Sequence, residues 1–147
     1  MKEPEFQCNL RIFFDNDFNV NEITQKLRIT PHIAKRFSES GYTRKANIKQ
    51  PGSWWYFFPS QKDYKPSWSV QDILREFFRP FSKEKVNELS KIIQANNGKV
   101  SLSINIYFKH GKLPEMCLDG EVMQIIHDLN ADIYINMNED NEDENEQ

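Results

Sequence analysis

Three histidines, two cysteines and one close pair of aspartates are the first side chains of this 147-residue chain to weigh for acid–base, nucleophilic or metal chemistry. Metal binding asks for ligands clustered at short, regular spacings. His32, His110 and His127 each stand alone, with no second ligand two to four residues away. Asp15 and Asp17 flank Asn16, and two carboxylates offer too few oxygens for a calcium site. Short polar side chains in that position are turn formers. Cys8 falls in phase with Leu10 and Ile12, and Cys117 has no thiol at a paired spacing, so neither a disulfide framework nor a zinc site is expected. The five glycines are scattered singly, without the clustering of a phosphate loop. These residues lean away from an enzyme, and no metal or cofactor is expected.

Binding chemistry is better represented. Aromatic residues make up 13% of the chain, and six consecutive residues read Ser53-Trp54-Trp55-Tyr56-Phe57-Phe58, bounded by Pro51-Gly52 and Pro59. A basic cluster precedes them: Lys35, Arg36, Arg44, Lys45 and Lys49. Rings beside cations serve two kinds of recognition. Bases stack on rings while Lys and Arg meet phosphates. Alternatively, Trp, Tyr and Arg anchor protein interfaces, because they bury much area with few rotors.

The elements that must position these residues are legible from periodicity. Residues 100–108 read V-S-L-S-I-N-I-Y-F, and alternation of that length requires a strand with one dry face. Val100, Leu102, Ile104, Ile106 and Phe108 face a core, while Ser101, Ser103, Asn105 and Tyr107 face away. Phe6 to Phe14 alternates in the same way, with Gln7, Asn9, Arg11 and Phe13 on the wetter side. Ala131 to Met137 forms a last strand, placing Asp132, Tyr134 and Asn136 on that side. Helix starts are expected at Asn19, Ser69, Ser82 and Asp119, each a good N-cap. Phe18/Ile23, Trp68/Ile73 and Phe81/Val86 supply hydrophobic staples for the first three. Gly98 suits the left-handed position that ends the third helix. Thr30 to Ser67 is the least regular stretch, with at least the aromatic strand inside it.

The order of strand, helix, irregular segment with a strand, two helices, strand, helix, strand predicts an α+β fold. A two-layer sandwich follows, its mainly antiparallel sheet carrying helices on one face, in a ferredoxin-like or split βαβ arrangement. Residues 1–137 form one domain. The last nine residues hold six acidic groups and no basic one, leaving the body with 16 acidic against 19 basic residues. A run of like charge without apolar residues cannot offset chain entropy, so residues 138–147 are expected to be a disordered acidic tail. No apolar run reaches the length of a membrane span and no signal-peptide pattern opens the chain, so a cytoplasmic protein is expected.

The segments Arg11-Ile-Phe-Phe, Asp17-Phe-Asn-Val-Asn-Glu-Ile-Thr and Leu27-Arg-Ile-Thr-Pro31 together resemble the opening of a bacterial family catalogued as domain of unknown function 4279. The likeness runs over about residues 8 to 137. Its later parts are a basic stretch, a Trp-containing strand, a helical pair and an alternating strand. The chain departs from the pattern after Pro31: His32 stands where a small hydroxyl residue is usual, and Phe37-Ser38-Glu39-Ser40 intervenes before Gly41. The resemblance implies a fold and a bacterial or phage setting, and no reaction.

The sequence therefore points to a binding protein that uses the sheet face away from the helices. Candidate binding residues are Arg11, Phe13, Lys35, Arg36, Arg44, Lys45, Trp55, Asn105, Tyr107 and Tyr134. The partner expected first is another protein or a second copy of the chain, in the manner of immunity, inhibitor or adaptor modules. The alternative is single-stranded nucleic acid, held by the basic loop and the exposed rings. A membrane is not expected as a partner. A covering of the face by Thr30 to Ser67 would instead make the aromatics ordinary core.

Overall fold

The computed structural model describes residues 5–57, 69–109, 111 and 115–140. The strands are β1 (Glu5–Phe14), β2 (Ile33–Lys35), β3 (Gly52–Phe57), β4 (Lys99–Lys109) and β5 (Asp132–Asp140). The helices are α1 (Asn21–Leu27), α2 (Val70–Phe78), α3 (Lys83–Ala95) and α4 (Gly120–Asp128), with one 3-10 turn at Phe37–Glu39. The strands form a single sheet in the order β2-β3-β1-β4-β5. Pairing is antiparallel throughout except between β4 and β5.

The fold is the α+β arrangement expected from the pattern. β3 and β4 both run against β1, so they are parallel to each other, and α2 with α3 carries the chain between them over the intervening β1. That is a split βαβ unit. α4 then makes the direct crossover that a parallel β4–β5 pair requires.

Alternation decides which face is dry. Phe6, Cys8, Leu10, Ile12 and Phe14 of β1 and Val100, Leu102, Ile104 and Ile106 of β4 are all buried. They share one core with Ile23 and Leu27 of α1, Ile73, Leu74 and Phe77 of α2, Leu89 of α3 and Val122 of α4. Burying such side chains contributes roughly 1.5–3 kcal/mol each. In the β1–β3 register Trp54 lies opposite Ile12 and Tyr56 opposite Leu10, which puts both on this helix-covered face. Trp54 is fully buried, and its indole N–H donates to Thr24 Oγ1 on α1 at 3.0 Å. Tyr56 packs edge-on or tilted against Phe77 and Phe81.

The expected caps hold at three helices. Ser69, Ser82 and Asp119 accept from the backbone N–H groups of Asp72, Lys85 and Val122. At α1 the regular helix is counted from Asn21, but Val20 already has helical angles (φ −60°, ψ −19°) and Asn19 Oδ1 accepts from the Asn21 N–H at 3.2 Å, as a capping side chain does. Trp68, one half of an expected staple, lies outside the described residues. At the end of α3 the left-handed residue is Asn97 (φ 54°), not Gly98. Gly98 is needed for another reason: a Cβ there would stand 2.5 Å from the Phe14 ring.

The irregular region contains a strand that alternation does not reveal. β2 pairs with β3 for only three residues. The 3-10 turn then crosses so close to β3 that a Cβ on Gly52 would lie 2.7 Å from the Phe37 nitrogen. β5 also runs three residues past Met137. Asn138, Glu139 and Asp140, counted with the acidic tail on composition, pair with Tyr107, Phe108 and Lys109 of β4. Polar residues end the apolar signal, but the backbone ladder continues, and the Asn138 side-chain amide adds a bond to the Ile106 carbonyl. Residues 141–147 lie outside the described residues. No helix among the described residues is long and apolar enough to cross a membrane.

Candidate binding face

All helices among the described residues pack on the face just described, and the opposite face is built row by row from strand register. Across its middle run Ile33, Trp55, Arg11, Ser101 and Asp132. On one side of that row stand Lys35, Ser53, Phe13 and Lys99. On the other side come Phe57, Asn9, Ser103 and Tyr134, and then Gln7, Asn105 and Asn136. Tyr107 lies beyond them. Tyr134 is 54% and Tyr107 39% exposed.

Arg11 is the best-ordered cation of this face. Its Nε and Nη2 both donate to Ser53 Oγ at 3.2 Å. Its guanidinium carbon sits 5.3 Å from the Phe13 ring centre and 5.2 Å from that of Trp55. Two cation–π contacts and a two-point hydrogen bond therefore fix a half-buried charge in one orientation. Among the described residues no carboxylate forms an ion pair with it. Trp55 is held in turn: its Nε1–H donates to Asn9 Oδ1 at 3.1 Å and its ring meets Phe57 edge-on at 5.2 Å. His32 stacks on Phe57 at 5.0 Å, and its Nδ1 accepts from the Phe57 backbone N–H. Asn136 donates to Asn105 Oδ1 at 2.9 Å, tying β5 to β4.

The sequence-derived candidates divide into two groups. Arg11, Phe13, Lys35, Trp55, Asn105, Tyr107 and Tyr134 share the helix-free face, as strand alternation and register require. Of the two aromatic sets, Trp55 and Phe57 join it, while Phe58 lies outside the described residues. The other basic residues do not assemble there. Arg36 Nη2 pairs with Asp17 Oδ2 at 3.0 Å and bonds the Asp17 carbonyl. Asp17 also accepts from the Ser38 N–H, and these bonds, the Ser38 ones first, hold its carboxyl below the ordinary range. Arg44 and Lys45 sit exposed between Tyr42 and Lys49, which bridge to each other. Lys49 folds onto the Ser40 carbonyl and over the Phe37 and Tyr42 rings. The run of basic residues is thus partly consumed in holding its own loop.

Three contributors were not singled out from sequence. Ser53 is the Arg11 acceptor, His32 stacks on the face, and Lys99 closes its far corner. Alternation places Lys99; the other two need the β2–β3 and β1–β3 registers.

A polar cavity of about 470 Å³ also opens between the C-terminal ends of α3 and α4, lined by Ser90, Asn97, Lys99, Asp128 and Asp132 among others. Its charges are mixed in sign, and its lining includes only three large aliphatic side chains, Ile93, Val100 and Leu129. Among the described residues no three His, Cys, Asp or Glu side chains converge to hold a metal ion. His110 lies outside the described residues.

Comparison with known proteins gives one match. A family model described as "Domain of unknown function (DUF4279)" covers residues 4–140, essentially the whole sheet and its helices. No curated protein and no solved structure matches the chain.

Proposed function

The chain belongs to the DUF4279 family, and we propose that it acts as a non-enzymatic binding module that docks another protein on the helix-free face of its sheet. The observation that supports this most directly is Arg11. A half-buried guanidinium is fixed between Phe13 and Trp55 with no carboxylate in an ion pair among the described residues. Such an arrangement is organised for an incoming acidic side chain. Around it the face offers Trp, Tyr and Asn, which bury area or make hydrogen bonds with little ordering penalty. A role as an immunity, inhibitor or adaptor module fits this reading by analogy alone.

Nucleic acid is the weaker reading. Sequence-independent binding relies on several cations tracking a phosphate backbone. Here Arg36 and Lys49 are engaged within their own loop, and among the described residues only Arg11, Lys35 and Lys99, with Lys109 at the far end of β4, stand on the face.

The test is site-specific photo-crosslinking in the native host from Asn105, on the face, and from Gln94, on the exposed side of α3. A partner captured from Asn105 alone supports the reading. Its affinity should fall at least tenfold on Trp55→Ala or Arg11→Ala, since anchors of this kind contribute roughly 2 kcal/mol or more. Binding should persist at high salt. Capture from Gln94 alone, or indifference to both substitutions, overturns it. Steep salt dependence with loss on Lys35→Ala and Lys99→Ala would transfer the face to nucleic acid.

A further inference from the structure

The two edges of the sheet are treated differently. β2 is three residues long, follows Pro31 closely and ends on Lys35. Short edge strands with proline or lysine are how proteins keep an edge from pairing with another chain. β5 has none of these devices. It runs nine residues, Asp132–Asp140, without proline, glycine or lysine, and among the described residues no strand pairs with its outer side.

Its side chains are also unusual. Ile133, Ile135 and Met137 lie in register with Leu102, Ile104 and Ile106, on the face the helices cover. Yet Ile135 is 44% and Met137 46% exposed, while their neighbours on β4 are fully buried. α4 leaves this margin of the core open. Met123, in the first turns of α4 and so at the end of the sheet where β5 finishes, is 45% exposed as well.

We propose that β5 is the seam of a homodimer, formed by antiparallel pairing with β5 of a second copy about a two-fold axis through Ile135. The sequence of the strand is self-complementary in that register. Ile135 opposes its own copy, Ile133 opposes Met137, Tyr134 opposes Asn136 and Asp132 opposes Asn138. Apolar side chains meet on the helix side and polar or amphipathic ones on the other. A register one residue further on, centred on Asn136, would set Asp132 against Asp140 and Ile133 against Glu139. A two-fold contact needs one patch that complements itself, and the pattern supplies it. The result is a continuous ten-stranded sheet with both helix layers on one side and both Arg11 faces on the other. This inference is independent of what binds that face. With the seven residues Asp132–Asn138 paired, about 24 Å of strand, the interface sits near the small end of specific contacts, below about 1,200 Å² in total. Reversible association is therefore expected.

The register can be read directly. In a Cys117→Ser background the remaining native thiol, Cys8, is buried and its pKa is pushed up to about 12 by desolvation, so it does not compete. Ile135→Cys should then give a disulfide-linked dimer under mild oxidation of the full chain, because directly opposed strand residues lie within bridging distance. Tyr134→Cys should not bridge to itself, yet should bridge to Asn136→Cys when the two variants are mixed. In light scattering the unmodified chain should approach twice its monomer mass as concentration rises, and Ile135→Lys should hold it monomeric with an unchanged circular dichroism spectrum. An Ile135→Cys yield no higher than that of Tyr134→Cys alone overturns the proposal, whatever the mass distribution shows.

Discussion

Arg11 and Arg36 carry the same charge and lead different lives, and the reason is what lies across from each. Arg11 shares its strand phase with Phe13, which alternation makes legible, and the β1–β3 register sets Trp55 across from it. Arg36 finds Asp17, nineteen residues earlier, through a chain reversal that no local pattern announces. Local carboxylates behave more predictably. Asp119 caps α4 through the Val122 N–H and meets the Arg75 guanidinium, and these contacts, the cap first, hold its carboxyl below the ordinary value of 3.8. A carboxyl whose pKa is lower folded than unfolded stabilises the protein above its unfolded value, and that contribution fades as pH falls through the folded one. Carboxyl titration by NMR should therefore give Asp119 a midpoint below 3.8. Asp119→Asn, which keeps a capping oxygen, should lose part of the drop in melting temperature seen on acidification below about pH 4.

At the scale of elements, strong periodicity and strong caps were readable, and short or tertiary features were not. β1, β4 and the starts of α2, α3 and α4 follow from alternation and from Ser69, Ser82 and Asp119. β2 is too short to show a period, and its pairing depends on β3 being present to receive it. Asn19 looks like a cap in sequence, and its Oδ1 does accept from the Asn21 N–H, with Val20 between them already at helical angles. Gly98 looks like a terminator, whereas Asn97 takes the left-handed conformation and Gly98 makes room for Phe14. The distinction is testable by urea unfolding. Gly98→Ala should destabilise by roughly 1–3 kcal/mol through overpacking. Asn97→Gly should stay within about 0.5 kcal/mol of the parent, since glycine accepts the same backbone angles.

The whole molecule is a sheet with one greasy side, one furnished side and two dissimilar edges. The one-sidedness was readable because helix stripes and strand phases all require a single core. The furnishing of the second side was readable only in part, since it depends on which of Trp54 and Trp55 faces inward, and register alone decides that. The exposure of Ile135 and Met137 was not readable, because alternation reports phase and not what covers it. Hydrogen exchange should follow the topology. Amides of β1, paired on both sides, should exchange slowest, and those of β2 fastest. Protection in β5 should rise with protein concentration while that in β2 does not, the signature of a seam at one edge only.

The position of β1 has a further consequence for synthesis. Of the five strands of this sheet the first to be synthesised is the central one, and neither neighbour exists when it appears. β3 follows some forty residues later (Arg11 meets Ser53 across a separation of 42) and β4 only after the helical pair. β1 must wait for its second partner until Lys99–Lys109 emerges, and loop closure of that length slows folding. Nascent chains stalled before β4 should consequently be sensitive to protease and bound by chaperones, and those stalled after it should resist both.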